Sequence, residues 1–141
     1  MKQLILIARG VKPLRNGNRS AKEYSFWDEL IASLGDYEVQ EITEIPLDEL
    51  EKLIKSSLTI ICCDSFVQHF CWYIGKQAIV LWGKSDPFVF GHPENINLFK
   101  DRKYLRPDPF RWWEDVPYDP DVFVRPEIIV QEINKLASKN P

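Results

Sequence analysis

The sequence predicts an α/β fold: a single Rossmann-like parallel sheet of about five strands, with helices on both faces. Three observations carry this expectation. Short β-rich apolar runs alternate with segments of helical period along most of the chain. Two runs, Leu58–Cys63 and Ala78–Trp82, are apolar almost throughout, as strands covered on both faces are. Polar residues gather just after the runs: Arg9-Gly10, Asp64-Ser65 and Gly83 to Asp86.

In chain order, Lys2–Ala8 is an apolar run and reads as a strand, ended by Arg9-Gly10. The polar segment that follows contains Pro13 and Asn16-Gly17 and reads as a loop. With Arg9 it holds Lys12, Arg15, Arg19 and Lys22, either as a solvated surface or as a basic loop beside an anionic ligand. Ser25 suits a helix cap. Phe26, Trp27, Leu30, Ile31 and Leu34 recur at helical spacing, with Asp28 and Glu29 in the first turn and Gly35 as the stop. The aromatic pair is read as core.

Tyr37–Ile42 is a weaker, more polar strand and is expected at an edge. Pro46 has the preset φ to open a helix over Leu47–Ser56, with Leu47, Leu50, Leu53 and Ile54 as its apolar stripe. Leu58–Cys63 is a central strand. Phe66–Ile74 reads as a helix that is apolar nearly all round, hence buried, and Gly75 ends it. Ala78–Trp82 is a further buried strand. The stretch from Gly83 to Asn95 contains Pro87, Gly91 and Pro93 and cannot be regular throughout; Ile96–Phe99 adds a short last strand. Residues 100–125 are irregular, with Pro107, Pro109, Pro117 and Pro120 around Trp112-Trp113, and are expected to wrap the surface. Pro126 opens a closing helix to about Ser138, with Ile129, Ile133 and Leu136 inward.

Right-handed crossovers limit the topology, and the strand order 2-1-3-4-5 is the expected one. Its switch point lies between the first and third strands. The Arg9-Gly10 turn would then face Asp64-Ser65 across one crevice, where open α/β sheets bind ligands.

Composition narrows the partners. At 141 residues the chain fits one domain, taken here as 1–141. A net charge of −3 argues against broad electrostatic binding of nucleic acid. The apolar start, Leu4–Ala8, is shorter than a signal peptide's core and is followed by Arg9. No apolar run reaches the roughly 20 residues of a membrane helix, so a cytoplasmic location is expected. Cys62, Cys63 and Cys71 make a poor disulfide framework and read as small buried hydrophobes, Cys62 and Cys63 on opposite faces of their strand.

The strand-to-helix junction at Asp64-Ser65 presents free N–H groups and the positive end of a helix dipole, which suits a phosphate. Asp64 or Ser65 could cap that helix, or Ser65 could donate to the phosphate. His69, one turn further on, reads either as a satisfied core residue or as a phosphate contact. Gly83-Lys84-Ser85 lacks the frame of a P-loop, no GxGxxG occurs, and Ser65 has no nucleophile elbow around it. The spacings support no metal site, and neither metal nor cofactor is expected.

The series from Leu47 through Asp64, Ser65 and His69 to Gly83, Ser85, Asp86 and Pro87 resembles the C-terminal half of glycosyltransferase family 9, the ADP-heptose:lipopolysaccharide heptosyltransferases of GT-B architecture. That family's pattern is a leucine-rich helix, a strand, Asp-Ser-Gly-x-x-His, a helix, a strand, and Gly-Pro-Thr-(Asp/Ser)-Pro. Ile7 to Gly10 is similar to the family's first strand and turn, and Lys22 falls two residues from its lysine. The resemblance implies a nucleotide-diphosphate-sugar donor held around Gly10, Lys22, Asp64, Ser65, His69, Gly83, Lys84, Ser85 and Asp86. It implies glycosyl transfer, hexosyl or heptosyl, with a partner chain or second copy supplying the acceptor domain. The departures are Phe66 in place of glycine, Lys84 in place of proline, one βα unit fewer before Leu47, and no counterpart of the N-terminal acceptor domain that carries the family's catalytic carboxylate. The alternative is a non-catalytic nucleotide-binding or interaction module. Its contact surface would be the aromatic segment 107–118, which otherwise reads as local packing.

Overall fold

A computed structural model describes residues 1–139; the last two residues of the expected domain and their neighbourhood at 140 and 141 lie outside it. Five parallel strands, β1 (Leu4–Ala8), β2 (Glu38–Glu41), β3 (Thr59–Cys63), β4 (Ile79–Trp82) and β5 (Ile96–Phe99), form one sheet in the order β2-β1-β3-β4-β5. This is the order expected from the alternation of elements, with β2 at one edge.

Alternation along the strands sorts the core into two layers. Ile5, Ile7, Ile61, Cys63, Ile79 and Leu81 face α1 (Trp27–Ala32) and α5 (Pro126–Lys139), where Leu30, Ile129 and Ile133 complete the packing. Leu6, Ala8, Ile60, Cys62, Val80 and Trp82 face α2 (Leu47–Ser56) and α3 (Phe66–Tyr73), which contribute Leu50, Ile54 and Cys71. Cys62 and Cys63 therefore serve opposite layers, and all three cysteines are free and buried. Burial pushes the Cys63 and Cys71 thiols up to about 12.

Four local expectations are corrected. Ser25 does not cap α1: its hydroxyl donates to the Pro120 carbonyl, and the helix starts after Phe26. Gly35 is not its left-handed stop either, because the helix ends at Ala32 with Ser33 as C-cap, and among the described residues only Gly17 and Gly75 have positive φ. The third concerns α3, which is not buried all round. Only Gln68 and Cys71 are fully covered, whereas Phe66 is 57% and Tyr73 79% exposed. A helix packed on one face of a sheet covers only one stripe, whatever the composition of the other side. Leu47 likewise lies outside the α2 contact and is exposed.

The stretch after β4 includes a short helix, α4 (Pro87–Phe90), capped by Asp86, whose carboxylate accepts from the Phe88 N–H. Residues 100–125 contain three single 3₁₀ turns and no longer element. They run back over the sheet, and Val122 and Phe123 plug into the α1/α5 layer. Among the described residues no helix is long and apolar enough to cross a membrane.

Candidate functional site

β1 and β3 are hydrogen-bonded neighbours, with Ala8 opposite Cys62. The chain leaving β1 goes to α1 on one face of the sheet, and the chain leaving β3 goes to α3 on the other. Two crossovers departing in opposite directions leave a gap at the carboxyl ends of the strands. A cleft of about 810 Å³ occupies that gap. The loop after β1 forms one wall, the Asp64–His69 junction another, and residues 111–114 the third.

Gly10, Lys22, Asp64, Ser65 and His69, five of the residues singled out in the sequence, line this cleft. Asp64 is its anchor. Its Oδ2 accepts from Ser85 Oγ at 2.7 Å and pairs with Lys22 Nζ at 3.2 Å, while its Oδ1 accepts from Gln68 Nε2 at 2.9 Å. The carboxylate is only 10% exposed, so these three donors stand in for water. Asp64 thus ties the β1 loop, α3 and the β4 loop together and fixes Lys22 at the cleft wall.

Ser65 occupies the N-cap position of α3 without capping it, its hydroxyl instead donating to the Cys63 carbonyl at 3.3 Å. Neither Asp64 nor Ser65 therefore satisfies the first-turn N–H groups of α3, which open at the cleft beside Ser65, Phe66 and Val67. The Phe66 ring stacks on Phe70, with centroids 5.5 Å apart, at the rim of the cleft. It takes up space where the resembled pattern has glycine, and the cleft remains open beside it.

His69 is exposed, not a core residue, and its Nδ1 lies 2.7 Å from His92 Nε2. The charge lining the cleft is mainly positive, with Lys12, Arg15, Lys22 and Arg111 against Asp64 and Glu114. Arg15 donates to Glu114 at 2.9 Å, and this hydrogen bond holds the Glu114 carboxyl below its ordinary value. Arg15 also lies over the Trp112 ring at 4.2 Å, and Lys22 over Trp113 at 4.9 Å.

The β4-end cluster has other work. Gly83 lies under Phe123, and a Cβ there would come within 2.7 Å of its ring. Lys84 Nζ donates to the Pro117 carbonyl, Ser85 holds Asp64, and Asp86 caps α4. None of the four lines the cleft. Sequence reasoning missed Arg111, Glu114 and Gln68. Only Gln68 left a signal, at four residues from Asp64 with one helical turn between them. Among the described residues no cluster of three or more His, Cys, Asp or Glu side chains could hold a metal ion.

Fold and cleft together define an open, doubly wound α/β unit with a cationic switch-point site. Solved structures of similar fold include bacterial glycosyltransferases. Escherichia coli ADP-heptose lipopolysaccharide heptosyltransferase II superposes with a TM-score of 0.66 at 17% identity, over 98% of this chain and 47% of that one. The iron-containing dodecameric glycosyltransferase TibC of enterotoxigenic E. coli gives 0.68 at 18% identity, over 100% and 46%. E. coli heptosyltransferase WaaC, solved with ADP, gives 0.60 at 12% identity, over 96% and 44%. The chain therefore spans about half the length of the structures it resembles, and the likeness is one of fold. No protein-family model matches the sequence. No curated protein does either.

Proposed function

We propose that the chain is a glycosyltransferase-like unit that binds a nucleotide-sugar donor through its diphosphate. The observation that carries this reading is the cleft itself: about 810 Å³ at the switch point, with four cationic side chains against two acidic ones and the uncapped start of α3 opening into it. Helix N–H groups, Lys22 and His69 would neutralise the diphosphate, and would stabilise it further as it departs with a developing charge. Lys84, assigned to the same role from the sequence, is engaged at Pro117 and is replaced in this reading by Arg111 and Lys12. Solved structures of similar fold include WaaC with ADP and TibC with ADP-D-β-D-heptose, which makes an adenine-based donor the first to try.

Hexosyl or heptosyl transfer would need an acceptor surface facing the cleft, from a partner chain or a second copy, and would take place in the cytoplasm. A thermal-shift panel of ADP-, UDP-, GDP- and CMP-sugars tests the reading. A rise in melting temperature with at least one of them is expected, and no rise with any at millimolar concentration overturns it. Lys22→Ala should weaken that binding about tenfold, the loss of one charge-assisted contact. The second reading, a non-catalytic nucleotide-binding or interaction module, is favoured by the exposure of Tyr73, Phe88 and Phe110. Nucleotide binding without turnover in the presence of candidate acceptors would select it.

A further inference from the structure

His92 lies outside the cleft lining, yet it is tightly fixed. Its ring stacks on Trp72 with centroids 4.6 Å apart and planes 9° from parallel. Its carbonyl accepts from Asn97 Nδ2 at 2.8 Å and from the Asn95 N–H at 3.0 Å, and Asn97 in turn accepts from the buried Trp82 indole. His92 Nε2 is directed at His69 Nδ1 at 2.7 Å, with the two rings nearly perpendicular. One of these nitrogens carries the shared proton and the other accepts it.

The two arrangements are not equivalent for the cleft. If His69 Nδ1 held the proton, its Nε2 would carry a lone pair, which repels an anion. If His92 Nε2 holds it, His69 Nδ1 accepts, and Nε2–H becomes a donor. The cleft lining, with Lys12, Arg15, Lys22 and Arg111 against Asp64 and Glu114, suits an anion, and only the second arrangement meets that anion with a donor.

We propose that His92 is a positioning residue: it donates to His69 Nδ1, fixes the His69 ring, and places the proton on His69 Nε2 for a phosphate oxygen of the ligand. The proposal rests on the anion-binding reading of the cleft and adds the tautomer and its source. The same logic governs ligand-binding histidines in general, where the bond made by one ring nitrogen sets the state of the other.

The test uses the ¹⁵N-labelled chain at neutral pH. A long-range ¹H–¹⁵N spectrum of the free protein should show His69 protonated at Nε2 and accepting at Nδ1. Affinity for inorganic diphosphate is then measured by calorimetry. His92→Phe keeps a ring for Trp72 but cannot donate, and should lose about five- to tenfold in affinity, the worth of one oriented donor. His92→Gln, with an amide donor, should restore both the His69 tautomer and most of the affinity. A His69 protonated at Nδ1 in the free protein overturns the proposal, as does His92→Phe binding diphosphate like the wild type. A nucleotide sugar that stabilises a wild type unable to bind diphosphate overturns it too, leaving the donor reading in place. Failure of every nucleotide sugar and of diphosphate removes both.

Discussion

Asp64 shows how much one side chain can hold. It accepts from Lys22, Gln68 and Ser85, which come from three separate parts of the chain. Asp64→Ala would take the anionic partner from Lys22 and Ser85 and leave the buried Gln68 amide only its 3.4 Å bond to the Phe90 carbonyl, so a loss of about 3 kcal/mol in unfolding free energy is expected in urea titrations. A loss under 1 kcal/mol would mean that the three donors find other partners. Gly83 is constrained for a different reason. Gly83→Ala drives a methyl group to 2.7 Å from the Phe123 ring and 2.9 Å from Val122, and should cost about 1–3 kcal/mol by thermal denaturation. The cysteines make a prediction about pH. Their folded values lie above the ordinary 9.0, at about 12 for Cys63 and Cys71. A raised value means that the folded state holds the proton longer. The stabilisation is therefore complete below pH 9 and is lost as pH climbs toward 12. Denaturation midpoints should fall steadily across that window, and native protein should resist thiol reagents that label the unfolded chain.

Among the elements, α2 and α3 make an instructive pair. Both pack on the same face of the sheet, and both carry apolar residues that point elsewhere. In α2 the buried residues are Leu50 and Ile54. Ile54→Ala should cost about 2–4 kcal/mol by chemical denaturation, whereas Leu47→Ala should change stability by less than about 0.5 kcal/mol. Equal effects would mean that the helix sits on the sheet in a rotated register. The exposed aromatic residues of α3 made its composition misleading. A helical window of Phe, Val, Phe, Cys, Trp, Tyr and Ile reads as buried because hydropathy is summed around the axis. Burial is decided by what faces the helix, and only one side of α3 faces the sheet.

At the scale of the whole molecule, the irregular segment 100–125 is held against the β1 loop by stacked charges. From the β1 loop, Lys22 lies 4.9 Å over Trp113, Arg15 4.2 Å over Trp112 and Arg19 3.9 Å over Tyr118, and within the segment Arg106 lies 3.6 Å over Trp113. Each such contact is worth about 0.5–2 kcal/mol. Trp113→Ala removes two of them, and limited proteolysis should then cut within residues 100–120 while circular dichroism of the sheet and helices is retained. Resistance to cleavage would show that the Val122 and Phe123 anchor holds the segment without the stacking. The segment lies mostly at the surface, with Phe110 and Trp112 exposed. That its residues 111–114 form the third wall of the cleft could not be anticipated, since irregular backbone has no period from which a direction can be read.

The order of elements, the strand order β2-β1-β3-β4-β5 and the crevice between β1 and β3, with the Gly10 turn on one side and Asp64-Ser65 on the other, were legible in the sequence. Those follow from local patterning and the handedness of crossovers, which act on neighbouring residues and on whole elements. Tertiary structure decided the rest. It buried Asp64 among three donors, moved Gly83, Lys84, Ser85 and Asp86 into structural roles, and brought Arg111 and Glu114 to the cleft. It also set His92 against His69, 23 residues away. These contacts join side chains across loops with no regular period, so their pairing exists only once the chain has closed on itself.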